Sequence, residues 1–265
     1  MFISCSTASF LDPESSPEEK VKATIFAMEQ IISSGYMGVE LFIAKVFDEE
    51  MINLILYESL KYQGKIVTLH SPKNILHKSF KDIFPSLSRL IKKAGEHNIP
   101  VIVLHPPFRS DLNSLLKTIF PIFDKMVDYS MKYNVTLTIE NVPYLPNPPL
   151  FFENLIDRYS KNVGITIDTE YLFSTEFSLD KYPVSILKFL KNIHVRDYDG
   201  QSFDDEGKRK YLRLGEGNIE FSNIFNKLKE IDYNGPLTIE TSFKNPLEDL
   251  NYSKEFIYNA LSSPY

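Results

Sequence analysis

The sequence predicts an α/β fold, a single-domain (β/α)8 barrel occupying residues 1–265, and three observations predict it. Eight short β-branched runs alternate with eight helical patterns along the 265 residues. The resulting βα unit recurs roughly every 28 to 45 residues. Finally, successive runs end on an ionisable residue: Thr138-Ile139-Glu140, Thr166-Ile167-Asp168 and Thr238-Ile239-Glu240 end on an acid, while the runs reaching His70, His105 and His194 end on an imidazole.

The strands read in order as Phe2–Ser6, Met37–Leu41, Lys65–His70, Pro100–His105, Val135–Asn141, Val163–Asp168, Asn192–Val195 and Pro236–Thr241. Each is rich in β-branched or large apolar residues, and alternation puts the last residue on the face of the one two positions earlier. The first helix opens at Ser16-Pro17, a Ser cap with Pro at the first helical position, and carries apolar residues at helical spacing to Ile32. Asp48 to Leu60 opens with acids and places Ile52, Ile55, Leu56 and Leu60 on one face. Phe84 to Ala94 and Leu115 to Met131 follow, the latter interrupted by Pro121. Phe152 to Tyr159, Val184 to Leu190, Phe221 to Ile231 and Leu247 to Leu261 complete the series. The Pro-rich stretch Pro143 to Pro149 follows the strand ending in Glu140 and reads as a rigid active-site loop.

A doubly wound sheet is the structural rival. Its strands would be hydrophobic on both faces, whereas Thr136, Thr138, Thr166, Asn192 and Thr238 form a small polar series that suits a barrel interior leading to a charged rim. Composition narrows the function classes. Hydrophobic residues make up 43%, and no stretch approaches a transmembrane span, so no membrane partner is expected. The start, Met1 to Ser6, lacks the basic and apolar regions of a signal peptide and reads as the first strand. Cys5 is the only cysteine, which rules out an intrachain disulfide and a thiolate zinc cluster and points to the cytoplasm. A net charge of −6 argues against a broad nucleic-acid surface. A homo-oligomer stays open.

In a barrel the C-terminal strand ends build the active site. Here they are Glu40, His70, His105, Glu140, Asp168, His194 and Glu240. Any one of them has an ordinary structural explanation, since a strand-end His is commonly just hydrogen-bonded and a Glu commonly pairs a Lys or Arg. Together they would repel or be desolvated unless a cation balanced them. Glu140, Asp168, His194 and Glu240 are therefore read as the ligands of a metal. His70 and His105 are candidates for a second ion or for substrate contact.

The ordered segments Gly35 to Leu41, Leu69-His-Ser-Pro72, Leu104-His-Pro-Pro107, Thr138-Ile-Glu-Asn141, Ile167-Asp-Thr169, Ile193-His-Val-Arg-Asp197, Leu214-Gly-Glu-Gly217 and Gly235 to Glu240 carry a resemblance. The chain resembles the xylose-isomerase-like TIM-barrel superfamily of sugar (phosphate) isomerases and epimerases, and more distantly the endonuclease IV group. The resemblance implies a divalent metal on Glu140, Asp168, His194 and Glu240. It also implies that Glu140 and Glu240 act as the acid–base pair, and that the substrate is a small sugar or sugar phosphate. Endonuclease IV enzymes hold three zinc ions. Residues matching two of the sites are present, but Tyr171, Arg209 and Tyr211 stand where the third would need its ligands.

Three carboxylates and an imidazole suit Mn²⁺, Mg²⁺, Co²⁺ or Zn²⁺. Such an ion would stabilise an enediolate while Glu140 and Glu240 move the proton from opposite faces. The expected activity is thus an isomerase or epimerase. An inosose-type dehydratase on the same scaffold and a two-metal phosphodiesterase using His70 and His105 are the alternatives. Asn141, Tyr171, Arg196 and Arg213 are further candidates for substrate contact; the alternatives are a salt bridge from Arg196 to Asp197 or Asp199 and a surface position for Arg213. Phe108, Tyr144 and Phe173 are candidates for the pocket wall, and Glu216 for a bridge between loops. His77 and His97 lack a partner set and are read as surface residues. No Gly-rich phosphate cradle and no Ser-His-Asp order is present.

Overall fold

The alternation of inward and outward residues along each strand builds the barrel. In a computed structural model describing residues 1–262, eight strands close in sequence order. They are β1 (Phe2–Ser6), β2 (Gly38–Phe42), β3 (Ile66–His70), β4 (Val101–Leu104), β5 (Thr136–Glu140), β6 (Val163–Asp168), β7 (Leu190–Val195) and β8 (Pro236–Ile239). All pairs are parallel, and β8 returns to β1 through Ser4 opposite Thr238. Outward residues such as Ile139, Ile167, Ile193 and Ile239 are fully buried against the helices, while Thr138, Thr166 and Thr238 are fully buried within the barrel. The Thr-Ile-acid pattern is therefore one residue in, one out and one in at the rim.

The helical layer comprises α1 (Pro17–Ser33), α2 (Glu49–Ser59), α3 (Phe80–Glu96), α4 (Leu112–Lys132), α5 (Pro148–Arg158), α6 (Thr169–Ser174), α7 (Val184–Leu187), α8 (Phe221–Glu230) and α9 (Pro246–Ser262). Ser16 caps α1 in a capping box with Glu19, with Pro17 at its start. Asp48 and Asp111 accept backbone N–H groups at the starts of α2 and α4. The helices bury Met28, Ile55, Leu87, Phe123, Phe151, Phe225 and Ile257 against the barrel.

Three elements differ from their sequence-based bounds. The third helix starts at Phe80, with Pro85 inside it rather than near its start. Pro148 and Pro149 belong to α5, capped by Asn147 in the left-handed region at φ 45°, so the preceding loop is shorter than the Pro-rich stretch suggested. Strand β7 begins at Leu190, leaving only Val184–Leu187 helical before it.

Candidate metal centre and active site

The barrel register brings the strand-end residues to one level. Asp168 and His194 are direct partners across β6 and β7, and Glu140 stands opposite Thr166. His105 and Glu240 lie one residue beyond the ends of β4 and β8. Ligand atoms of Glu140, Asp168, His194 and Glu240 all fall within 4.8 Å of one another, and every one of these side chains is buried. His70, His105 and Glu140 form a second such group, sharing Glu140 with the first.

His194 sits at the middle of this arrangement. Its Nε2 is 3.0 Å from Glu40 Oε2, while its Nδ1 faces Glu140 Oε1 at 2.6 Å and Glu240 Oε2 at 3.1 Å. Burial opposes a charge on this imidazole, yet Glu40, Glu140 and Glu240 around it push its pKa well above the ordinary histidine range. The imidazolium proton is thus the cation that these carboxylates share. Burial likewise works against the Glu140 carboxylate, but His194 and His105 hold it well below the usual range. Glu240 is held at about 2, against burial, by His194, Lys73 and Arg196. Asp168 behaves differently: burial lifts it to about 7, and Arg196 offsets only part of that rise.

His105 Nε2 contacts Glu140 Oε2 at 2.6 Å, and burial lowers its pKa to about 4, so it donates as a neutral ring. His70 Nδ1 donates to the Ser71 carbonyl at 2.8 Å. That tautomer leaves its Nε2 as a buried lone pair with no hydrogen-bond partner, 3.7 Å from Glu140 Oε2. An orphaned lone pair beside a carboxylate is a cost that a metal or a donor group would remove.

The residue types fit a divalent ion. Ligands bonded at about 2.1 Å lie no more than about 4.2 Å from one another, so a group already within 4.8 Å needs only a small contraction. Below the rim, Glu40 Oε2 also accepts from Thr68 at 2.9 Å and Asn192 at 3.0 Å, and Thr238 donates to Asn192 at 2.7 Å. This floor fixes His194 with Nε2–H directed inward and Nδ1 directed at the ligand cluster.

The remaining sequence candidates take distinct places. Asn141 ties two strand ends together: its Oδ1 accepts from Asp168 N at 2.6 Å and its Nδ2 donates to Asp168 O at 3.3 Å. It therefore positions Asp168 directly. Arg196 is buried and pairs Asp168 at 3.2 Å and Glu170 at 2.8 Å, rather than Asp197 or Asp199. Its guanidinium lies between the rings of Tyr171 and Tyr211, each centroid 5.4 Å away, and Arg209 pairs Glu170 alongside. Arg213 is directed away from the cluster, pairing Glu248 at 2.8 Å and Asp249 at 3.0 Å over the Tyr252 ring. Tyr144 packs edge-on to Phe108 and donates to the Pro106 carbonyl at 3.1 Å, while Phe173 packs on Tyr198. Glu216 accepts from Arg213 N at 3.2 Å, within its own turn. His77 bonds the Pro106 carbonyl through Nε2 at 3.2 Å, and His97 is partly buried.

Asp197 explains the Gly-Glu-Gly turn. Its Oδ2 accepts from Gly215 N at 2.7 Å and Gly217 N at 2.9 Å. Gly215 has φ +89°, and a Cβ on Gly217 would meet Asp197 Oδ1 at 2.3 Å, so both positions require glycine. Sequence reading gave no role to Glu170, Lys73 or this use of Asp197. Glu170 follows a strand-end acid, and its partners Arg196 and Arg209 lie far along the chain, so no local spacing announces the contact.

A parallel eight-stranded barrel with a buried acid-and-imidazole cluster at the C-terminal rim defines the class of barrel proteins that carry their chemistry there. The chain belongs to the xylose isomerase-like TIM barrel family, whose profile matches residues 28–260. The uncharacterized protein MJ1311 of Methanocaldococcus jannaschii is 28% identical over 228 residues, covering 76% of this chain and 74% of that protein. Among solved structures, the D-allulose 3-epimerase from Methylomonas sp. in complex with D-allulose superposes with a TM-score of 0.71 at 16% identity, covering 98% and 97% of the two chains. The IOLI protein with a bound zinc atom gives a TM-score of 0.73 at 15% identity, over 99% and 98%. Among the described residues, no helix is long and apolar enough to cross a membrane.

Proposed function

We propose that this barrel is a divalent-metal-dependent isomerase or epimerase of a small sugar or sugar phosphate, with Glu140 and Glu240 as its acid–base pair. The observation that carries the reading is the meeting of four buried ligand atoms, from Glu140, Asp168, His194 and Glu240, within 4.8 Å. A divalent ion held by these four residues would supply Lewis-acid polarisation of a substrate carbonyl and its neighbouring hydroxyl. Everything else falls to the chain. Glu140 on β5 and Glu240 after β8 reach the centre from well-separated strands, as removal and return of a proton on opposite faces of one carbon require. Both carboxyls sit below the usual carboxylate range, so each is ionised and free of a proton at neutral pH. His105, a neutral donor beside Glu140, suits a substrate hydroxyl. Asn141 and Arg196 hold Asp168 in place. The family membership and the epimerase fold neighbour support this substrate class, and the zinc in a second neighbour supports a divalent ion.

The test is incubation of the Mn²⁺-treated protein with a panel of ketoses and ketose phosphates in deuterated water. Solvent deuterium appearing beside the carbonyl of one member, and lost on chelation, is the expected result; no exchange in any member would overturn the reading.

A second reading has an observation of its own. His70, His105 and Glu140 form a second ligand-like group next to the first, as a two-metal phosphodiesterase would need. Metal stoichiometry separates the two. One ion per chain favours the isomerase, and two ions about 3.5–4 Å apart favour the hydrolase.

A further inference from the structure

We propose that the cleft beside Glu240 is a phosphomonoester subsite built on Lys73 and Lys20, and that the substrate is accordingly a phosphorylated small ketose. The subsite stands on geometry alone, and the identity of the substrate rests on the isomerase reading above. The cleft encloses about 180 Å³; one wall is apolar, including Leu11 and Phe42, and its polar lining is Lys20, Lys73, Tyr211, Glu240, Thr241 and Ser242. Among the described residues Glu240 is the only carboxylate in its wall, and it is shared with the ligand cluster. A substrate whose reacting carbon rests against Glu240 therefore extends its far end into this cleft.

The basic groups of the rim divide sharply. Arg196 pairs Asp168 and Glu170, Arg209 pairs Glu170, Lys210 pairs Asp199, and Arg213 pairs Glu248 and Asp249. Among the described residues Lys73 pairs only Glu240, with Nζ 3.9 Å from Oε1, and its side chain is 45% exposed. It lies 5.9 Å from the centroid of the Phe42 ring, which steadies it at the mouth of the cleft. The half-buried Lys20 is held by carbonyl oxygens alone, donating to Pro13 at 2.8 Å and to Ser15. Its ammonium is thus anchored by backbone carbonyls, with no carboxylate paired to it among the described residues.

Once a cation in the cluster matches the charge of Glu240, no other carboxylate among the described residues balances Lys73. The cleft then presents two ammonium groups and the hydroxyls of Tyr211 and Ser242, the Thr241 hydroxyl being engaged by the Leu212 carbonyl at 3.0 Å. A phosphate dianion, with three strong acceptor oxygens, matches that set, and lysine binds phosphate as a point charge. A neutral sugar would leave both ammonium groups facing an uncharged ligand.

Calorimetry on the Mg²⁺-treated protein, with inorganic phosphate, D-ribulose 5-phosphate, D-ribulose and a ketohexuronate as probes, tests the subsite. The wild type should bind D-ribulose 5-phosphate at least about tenfold more tightly than D-ribulose. Lys73→Met should erase that preference and weaken inorganic phosphate while leaving D-ribulose unchanged; Lys20→Met should do so in part, and Lys73→Arg should restore most of it. Thermal melts of each variant confirm folding. Equal binding of the two pentuloses by the wild type, no binding of any phosphate probe, or equal losses for both pentuloses in Lys73→Met would overturn the proposal. Tighter binding of the ketohexuronate would overturn it in favour of a carboxylate site. Solvent-deuterium exchange in the same samples separates the two claims. Lys73-dependent phosphate binding without exchange keeps the subsite and discards the isomerase reading, whereas exchange with Lys73-independent binding does the reverse.

Discussion

Glu40 on β2 and His194 on β7 meet inside the barrel, with Oε2 accepting the Nε2–H at 3.0 Å between two fully buried side chains. The contact fixes the ring so that Nδ1 alone is offered to Glu140 and Glu240. A carboxylate in this position also raises the basicity of the opposite ring nitrogen.

Glu40→Gln should therefore weaken Mn²⁺ binding by about 10- to 100-fold without removing a ligand. An amide oxygen can still accept from Thr68 and Asn192, so the fold should persist. A calorimetric Mn²⁺ titration checks this, and an unchanged affinity would show that Glu40 serves only packing.

Much of this centre was legible in the sequence because a barrel strand has period two and its rim residue is its last. Glu140, Asp168, His194 and Glu240 ended recognisable strands, and the structure brings them together. Contacts between distant segments were not legible. Glu170 gains its role from Arg196 and Arg209, and Lys73 from lying across the mouth from Glu240. The six-residue α6 was too short to show helical periodicity; it exists because Asp168 Oδ1 accepts from Tyr171 N at 3.2 Å. Helix α3 was read as starting at Phe84, yet it begins at Phe80, with Ser79 at its N-cap position and Pro85 accommodated inside it.

The pH dependence of the metal-free protein follows from Asp168 and His194. Both have folded-state pKa values above their unfolded ones, Asp168 at about 7 and His194 well above the ordinary range. His105, lowered to about 4 by burial, is neutral in the folded state where an unfolded imidazole is charged, and it offsets Asp168 up to about pH 6.5. Above that the folded state binds more protons than the unfolded state, and its stability falls as pH rises. Glu240, held at about 2, acts oppositely, but only at strongly acidic pH. The melting temperature of EDTA-treated protein should drop from about pH 6.5 to pH 8, and saturating Mn²⁺ should reverse the drop. Because the ion must displace those protons, its affinity should rise over the same interval. A melting temperature that climbs from about pH 6.5 to pH 8 without metal would contradict this assignment of charge.

Glu140→Gln and Glu240→Gln should each abolish turnover of an identified substrate, by about 10²-fold or more, while the fold persists. The amide retains shape and one oxygen but cannot take up a proton. Circular dichroism and a turnover assay on the same preparations check it, and retention of most activity in either variant would remove that residue from the acid–base pair.

The protein should not nick abasic DNA. Where a third metal site would lie, Arg196 and Arg209 bring two guanidinium groups to Glu170, and the Tyr171 and Tyr211 rings flank Arg196. Two guanidinium groups here would repel a further cation, and the chain's net charge of −6 disfavours duplex binding. An abasic oligonucleotide assay with Zn²⁺ and Mn²⁺ tests this; efficient, EDTA-sensitive nicking would count against the isomerase reading.

The most direct test of the central claim is anomalous diffraction from crystals soaked in Mn²⁺. A single strong peak about 2.0–2.2 Å from oxygens of Glu140, Asp168 and Glu240 and from Nδ1 of His194 is the predicted result. A peak held elsewhere, or none at a Mn²⁺ concentration that saturates binding in solution, would contradict it.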